Sequence, residues 1–171
     1  GGAWKEETAK WYDRSMNIAG SGSVMPNRGN FLDLDPTYRN RFGMPQMRMT
    51  FDYKDNERKI SAHTAKIINE IAMAMNPTHL TKATVRNSWN VVQYQTTHNT
   101  GGTIMGTNPG NSVTNKYGQV WGVDNLFIMG ASLFPHNSAY NPTGPVAAIA
   151  YMAADIIKNV YIKNPGKLID A

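Results

Sequence analysis

The last helix constrains this chain more than any other feature. Asn141 and Pro142 open it, and from Val146 the chain reads Val-Ala-Ala-Ile-Ala-Tyr-Met-Ala-Ala, small or apolar almost all round. A surface helix carries one apolar stripe, so a helix apolar on most faces is one that is buried on most faces. The pattern predicts it over residues 142–161. With 171 residues, 41% of them hydrophobic, the chain can bury a core but has little material left to wrap such a helix. A partner segment outside these residues is therefore expected to cover part of it.

Composition removes several function classes. There is no cysteine, which excludes disulfides, Cys-ligated zinc, iron–sulfur clusters and thiol catalysis. Seventeen Lys and Arg against twelve Asp and Glu leave +5, spread along the chain without a basic stripe interleaved with aromatics, so nucleic acid is not an expected partner. No run approaches the length of a membrane span, and the first residues lead straight into a polar helical segment, so neither a span nor a signal peptide is expected. The four histidines show no metal-ligand spacing, and no metal site is expected. Gly20-Ser21-Gly22 lacks the third glycine of a dinucleotide loop and reads as an ordinary loop.

Along the chain, residues 4–17 have helical composition, and residues 18–45, interrupted by Pro26, Pro36 and Pro45, read as loop and short strand. Met47, Met49, Phe51 and Tyr53 alternate with Arg48, Thr50 and Asp52, the period of a half-buried strand. Asp55 is expected to cap a helix reaching Met75, with Ile60, Ile67, Ile68 and Ile71 on the side that lies on a sheet, and Asn76-Pro77 ends it. Residues 79–86 and 89–95 read as two more strands, and residues 126–129 as a short apolar one. The class is α+β, an antiparallel sheet backed by helices. Three regions are expected: 1–30 as helix and linker, 31–95 as sheet and helix, and 96–171 as loops and the final helix.

Two places carry polar groups next to elements that should be buried. His98 and His136 sit in Gly- and Asn-rich loops, where a rigid scaffold commonly places reacting groups. Asn141 at the start of the last helix reads as its N-cap, with Pro142 as first helical residue. The N–H groups of Thr143 and Gly144 then stand at the positive end of the helix dipole, an arrangement that favours negative charge.

These segments also form an ordered set. His98-Asn99-Thr100-Gly101-Gly102-Thr103-Ile104-Met105-Gly106, then Gly122-Val123-Asp124-Asn125-Leu126-Phe127-Ile128-Met129-Gly130-Ala131-Ser132, then Asn141-Pro142-Thr143 before an Ala-rich helix, resemble the C-terminal signature of the glucose–methanol–choline (GMC) oxidoreductases. Leu34-Asp35-Pro36 and Gly43-Met44-Pro45 look like that family's entry into its substrate domain. Within the family the chain is similar to the flavoprotein subunits of gluconate, sorbitol and fructose dehydrogenases.

The resemblance implies an enzyme that moves a hydride from an alcohol carbon to the N5 atom of FAD, acting on an alcohol, polyol, sugar or sugar acid. It implies His98 as the base and Asn141 as the group that orients the substrate hydroxyl. Gly130, Ala131, Asn141, Pro142 and Thr143 are implied at the cofactor, and His136, Asn137 and Tyr140 as a polar substrate wall. The substrate-domain sheet would face the flavin. The C-terminal strand and helix would complete an FAD-binding domain whose main part is absent, so that FAD is held chiefly by an N-terminal segment outside this chain. An electron-acceptor subunit, membrane-attached in that subgroup, is a further implied partner. Gly102 stands where many members have Thr, a change expected to be harmless in a loop. Gly130 stands where many have Asp, which removes a polar contact to FAD. The rival readings are a non-catalytic carbohydrate-binding module using Trp89 and Trp121 as stacking surfaces, and a proteolytic remnant without activity of its own.

Overall fold

The computed structural model describes residues 1–90, 98–137 and 139–168. The order is helix α1 (Gly2–Trp11), strands β1 (Phe31–Arg39) and β2 (Pro45–Thr50), helix α2 (Asp55–Ala74), a 3₁₀ turn at Ala131–Leu133 and helix α3 (Thr143–Ile156), which runs on into a π turn at Ile157–Tyr161. The class is α+β, with one two-stranded antiparallel sheet among the described residues.

The hairpin follows from alternation. Leu32 pairs with Met49, Leu34 with Met47 and Asp33 with Arg48, so one face carries four apolar side chains and the other a cross-strand ion pair. The Arg48 Nε–H donates to Asp33 Oδ1 at 2.8 Å. Pro36 cannot donate to a ladder, and the register shifts between Leu34 and Arg39. Asp35 Oδ1 closes that irregularity by accepting the N–H groups of Thr37 and Tyr38, each at 2.8 Å. The strand predicted as half-buried is exposed: Met47 and Met49 are 70% and 54% accessible, because no other described element covers the apolar face.

Helix α2 starts one residue earlier in function than expected. Lys54, not Asp55, is the N-cap, and its N–H donates back to Glu57 Oε2 at 2.9 Å. Buried Glu57 also accepts the Met25 N–H at 2.9 Å and the Asn56 amide at 3.1 Å. One carboxylate thus starts the helix and pins the preceding loop. At the far end Asn76 adopts φ +51° and donates its N–H to Met73 at 3.0 Å, the left-handed stop that Asn tolerates.

The inner side of α2 packs against irregular chain. Gly20 and Gly22 lie so close to it that a Cβ on either would overlap Thr64 Cγ2 or Ile60 Cγ2. The Gly-Ser-Gly segment is therefore a packing device against two stiff β-branched residues. Gly22→Ala is expected to cost about 1–3 kcal/mol by overpacking, read as a lower urea midpoint; an unchanged midpoint would show that this loop is not seated on α2. The strand expected over 79–86 does not form. Its backbone is satisfied by α2 side chains instead: Asn69 exchanges both amide bonds with Ala83, at 2.8 and 3.1 Å, and Ser61 Oγ accepts the Arg86 N–H. The strand expected over 89–95 falls largely outside the described residues.

Four carboxylates are held below their ordinary values. The Arg48 hydrogen bond lowers Asp33, and backbone N–H groups of Tyr38 and Thr37 lower Asp35 and those of Trp89 and Tyr53 lower Asp52. Burial of Glu57 opposes ionisation, but the donors from Met25, Asn56 and Lys54 together outweigh it. A carboxylate lowered by folding stabilises the fold above its unfolded pKa and loses that contribution as pH falls through the folded value. Stability is therefore expected to be flat from neutrality to about pH 5 and to fall below about pH 4. Glu57→Gln should flatten that acid limb in urea titrations, and an acid limb identical to wild type would contradict the role given to Glu57.

The C-terminal part is organised around short bridges. Met105 pairs with Thr114, Thr114 with Val120 and Gln119 with Phe127, so the strand predicted at 126–129 is reduced to a single bridged position. Its core holds Leu133, Phe134, Tyr117, Ala153 and Leu168. Two buried amides sew the tail to it: Asn115 donates to the Leu168 carbonyl at 2.7 Å, and Gln119 donates to Asp124 and Gly166 carbonyls and accepts the Leu168 N–H. Helix α3 buries only Ala153, and Tyr151 is 79% exposed, which leaves open the surface that the sequence expects a partner segment to cover. Among the described residues no helix is long and apolar enough to cross a membrane.

Candidate functional site

The loop that follows His98 is clamped to the turn that follows Gly130. The N–H groups of Gly101, Thr103 and Met105 donate to the carbonyls of Ala131, Ser132 and Leu133 at 3.0, 3.1 and 2.9 Å. Alternate residues on one side meet consecutive residues on the other. Ala131 also accepts the Phe134 N–H that closes the turn. Two motifs separated by some thirty positions thus become one backbone unit, with exposed His98 at its entrance.

Glycine is required at two points of this unit. Gly102 has φ +98° and meets Leu32 Cδ1 at 3.0 Å from where a Cβ would sit; both its backbone and its neighbour select Gly. Gly130 has φ +117° and ψ −169°, a region essentially confined to Gly, with no heavy atom within 4 Å of its Cβ position. The turn takes this shape because Gly, not Asp, stands there.

Downstream, His136 is exposed and Asn137 half-buried. Tyr140 is 78% exposed, and Ala139 beside it has φ +65°, a conformation that costs a non-glycine residue about 1–3 kcal/mol. Asn141 is exposed and Pro142 buried. The expected cap is displaced: Pro142, at φ −85° and ψ −3°, is the N-cap, and no side chain caps the helix. Asn141 falls one residue outside because Pro142 stops just short of helical geometry, and the first intrahelical bond runs from Val146 N–H to the Pro142 carbonyl at 2.9 Å. The N–H groups of Thr143 and Gly144 precede that bond, and Pro145 has none. Gly144 has no heavy atom within 4 Å of its Cβ position. The hydrogen bonds join His98's loop to Ala131, Ser132 and Leu133, directly after Gly130, whereas Asn141, Pro142 and Thr143 enter through the connection that follows.

Several contributors had no signal in the sequence. Leu32 touches Gly102 from a strand seventy positions away, and the buried pair Asn115 and Gln119 reads in sequence as loop. The two tryptophans suggested as stacking surfaces are engaged internally. Trp121 donates its indole N–H to Ser112 at 2.9 Å, and Trp89 meets Phe51 edge-on at 5.6 Å.

Residues 26–150 match the family model described as GMC oxidoreductase. This chain belongs to that family. It is 41% identical, over its whole length, to 28% of the gluconate 2-dehydrogenase flavoprotein of Pantoea cypripedii. It is 30% identical, over 90% of its length, to 27% of the fructose dehydrogenase large subunit of Gluconobacter japonicus. A 2-methyl-1,2-propanediol dehydrogenase of Mycolicibacterium austroafricanum is 32% identical over 80% of the chain and 24% of its own length. The chain spans about a quarter of the length of the curated relatives it matches.

Proposed function

We propose that these residues are the C-terminal part of an FAD-dependent oxidoreductase that oxidises the CH–OH group of an alcohol, polyol, sugar or sugar acid. The observation that carries this reading is the clamp of Gly101, Thr103 and Met105 on Ala131, Ser132 and Leu133, which joins the His98 loop to the Gly130 turn. The family membership and the names of the relatives support the reaction class, and the word flavoprotein in one of them supports the cofactor.

The residues present fit a flat ring that would gain negative charge on reduction. Gly130 and Gly144 are open where a Cβ would stand, so a planar ring can approach the backbone. The N–H groups of Thr143 and Gly144 lie at the positive end of α3, with Gly130 and Ala131 on the neighbouring turn. FAD, when bound, supplies the hydride acceptor. His98 takes the proton of the substrate hydroxyl, a task suited to imidazole near neutrality. Asn141, which the structure leaves outside the helix cap, orients that hydroxyl through its amide. His136, Asn137 and Tyr140 form the polar wall on the substrate side. The dinucleotide is held mainly by an N-terminal segment outside these residues, which also covers α3, and electrons leave to an acceptor subunit.

The reading is tested by turnover of the complete protein with an artificial electron-acceptor dye. Dye reduction by polyols or sugar acids is expected. Saturable sugar binding without dye reduction would contradict it and favour a carbohydrate-binding module.

A further inference from the structure

The His98 loop has a second neighbour that the clamp does not explain. On one side it is held by the carbonyls of Ala131, Ser132 and Leu133. On the other, Leu32 Cδ1 of β1 comes within 3.0 Å of the Cβ position of Gly102. Gly102, at φ +98° and without a Cβ, leaves room that the end of the Leu32 side chain approaches. Leu32 lies opposite Met49 and next on its face to Leu34 opposite Met47, so the approach is made from the end of the hairpin's apolar face. The loop is thus held by backbone hydrogen bonds at 131–133 and met at Gly102 by the end of the Leu32 side chain, which is otherwise 45% exposed.

We propose that Leu32 is a positioning residue for His98: its side chain, seated against Gly102, sets the distance of the His98 loop from the reacting centre. The inference rests on the reading of His98 as the base. Removing the seat lets the loop relax toward β1 while the 131–133 clamp still holds it, so His98 shifts without the fold being lost. Displacement of a reacting group by about an ångström costs up to about a hundredfold in rate. Because Leu32 acts through the base and not through substrate affinity, the loss falls on kcat and not on KM.

The test uses the complete flavoprotein. Leu32→Val removes Cδ1 and keeps a residue suited to a strand; Leu32→Met keeps the reach of the side chain. Flavin content and thermal midpoint establish that each variant is folded. For Leu32→Val, kcat is expected to fall about tenfold or more with KM within about twofold, and the acid limb of the kcat–pH profile is expected to move. Leu32→Met should restore most of the loss. A folded Leu32→Val protein with wild-type kcat and pH profile would overturn the proposal, as would a loss that appears only in KM. If Leu32→Val does not fold, Leu32→Met carries the test: a wild-type kcat and pH profile supports a seat that depends on reach, and a kcat loss as large as that of an unrelated strand substitution overturns it. His98→Ala measured alongside separates the failures, since a wild-type kcat in that variant would remove the base assignment itself.

Discussion

Gln119→Leu is expected to destabilise the protein by about 4 kcal/mol, the largest stability effect of any single substitution considered. Gln119 is 2% exposed and every polar position of its side chain is used. Its amide donates to the Asp124 and Gly166 carbonyls at 2.7 and 2.8 Å, and its oxygen accepts the Leu168 N–H at 2.8 Å and the Asn115 amide at 3.3 Å. Leucine of similar volume leaves the Leu168 N–H and one Asn115 amide hydrogen buried without partners, each at about 1–3 kcal/mol, and also removes the bonds to the part-buried Asp124 and Gly166 carbonyls. Relaxation of the tail recovers part of this. The consequence is local as well as global: residues 166–168 lose two of the bonds that hold them, so Lys163 and Lys167 should become sites of rapid tryptic cleavage. Gln119→Glu keeps the shape and the acceptor but turns two donors into an oxygen facing carbonyls, and should be nearly as harmful. A urea midpoint within about 1 kcal/mol of wild type for Gln119→Leu would show that the tail contributes nothing to the core.

What could be read before folding was the part carried by periodicity. Helix α2 was legible because Ile60, Ile67, Ile68 and Ile71 repeat at helical spacing, and β2 because Met47 and Met49 alternate with Arg48 and Thr50. The apolar run in α3 gave that helix and the expectation that it needs a cover. Residues 79–86 misled because Thr and Val imitate a strand, while the amide of Asn69 supplies Ala83 with the hydrogen bonds that a neighbouring strand would have given. The Glu57 carboxylate displaced the cap from Asp55 because a side chain three residues into the helix can reach back to Lys54. At the candidate site, the motif order put His98, Gly130 and Asn141 in one neighbourhood, and the backbone clamp joins the loop after His98 to the turn after Gly130. The shift of the cap from Asn141 to Pro142 was not legible, since composition does not distinguish φ and ψ on either side of a helix boundary. The left-handed φ of Gly102 and its approach to Leu32 were not legible either, since a contact between positions seventy residues apart leaves no local trace. Asn115 and Gln119 show the same limit, being polar residues in a polar stretch whose burial is decided by the returning tail.

The central claim is that these residues carry the base of a flavin-dependent oxidation, and the most direct measurement is the rate of flavin bleaching in the complete protein mixed without oxygen with an excess of a polyol or sugar acid. A His general base contributes about 10²–10⁴ in rate. The account predicts that wild type bleaches fully, and that His98→Ala, with flavin still bound, bleaches more slowly by a factor in that range. Rescue of the variant as pH rises, where hydroxide and the ionised substrate take over the base's task, would fit the same assignment. Bleaching of His98→Ala at the wild-type rate would contradict it.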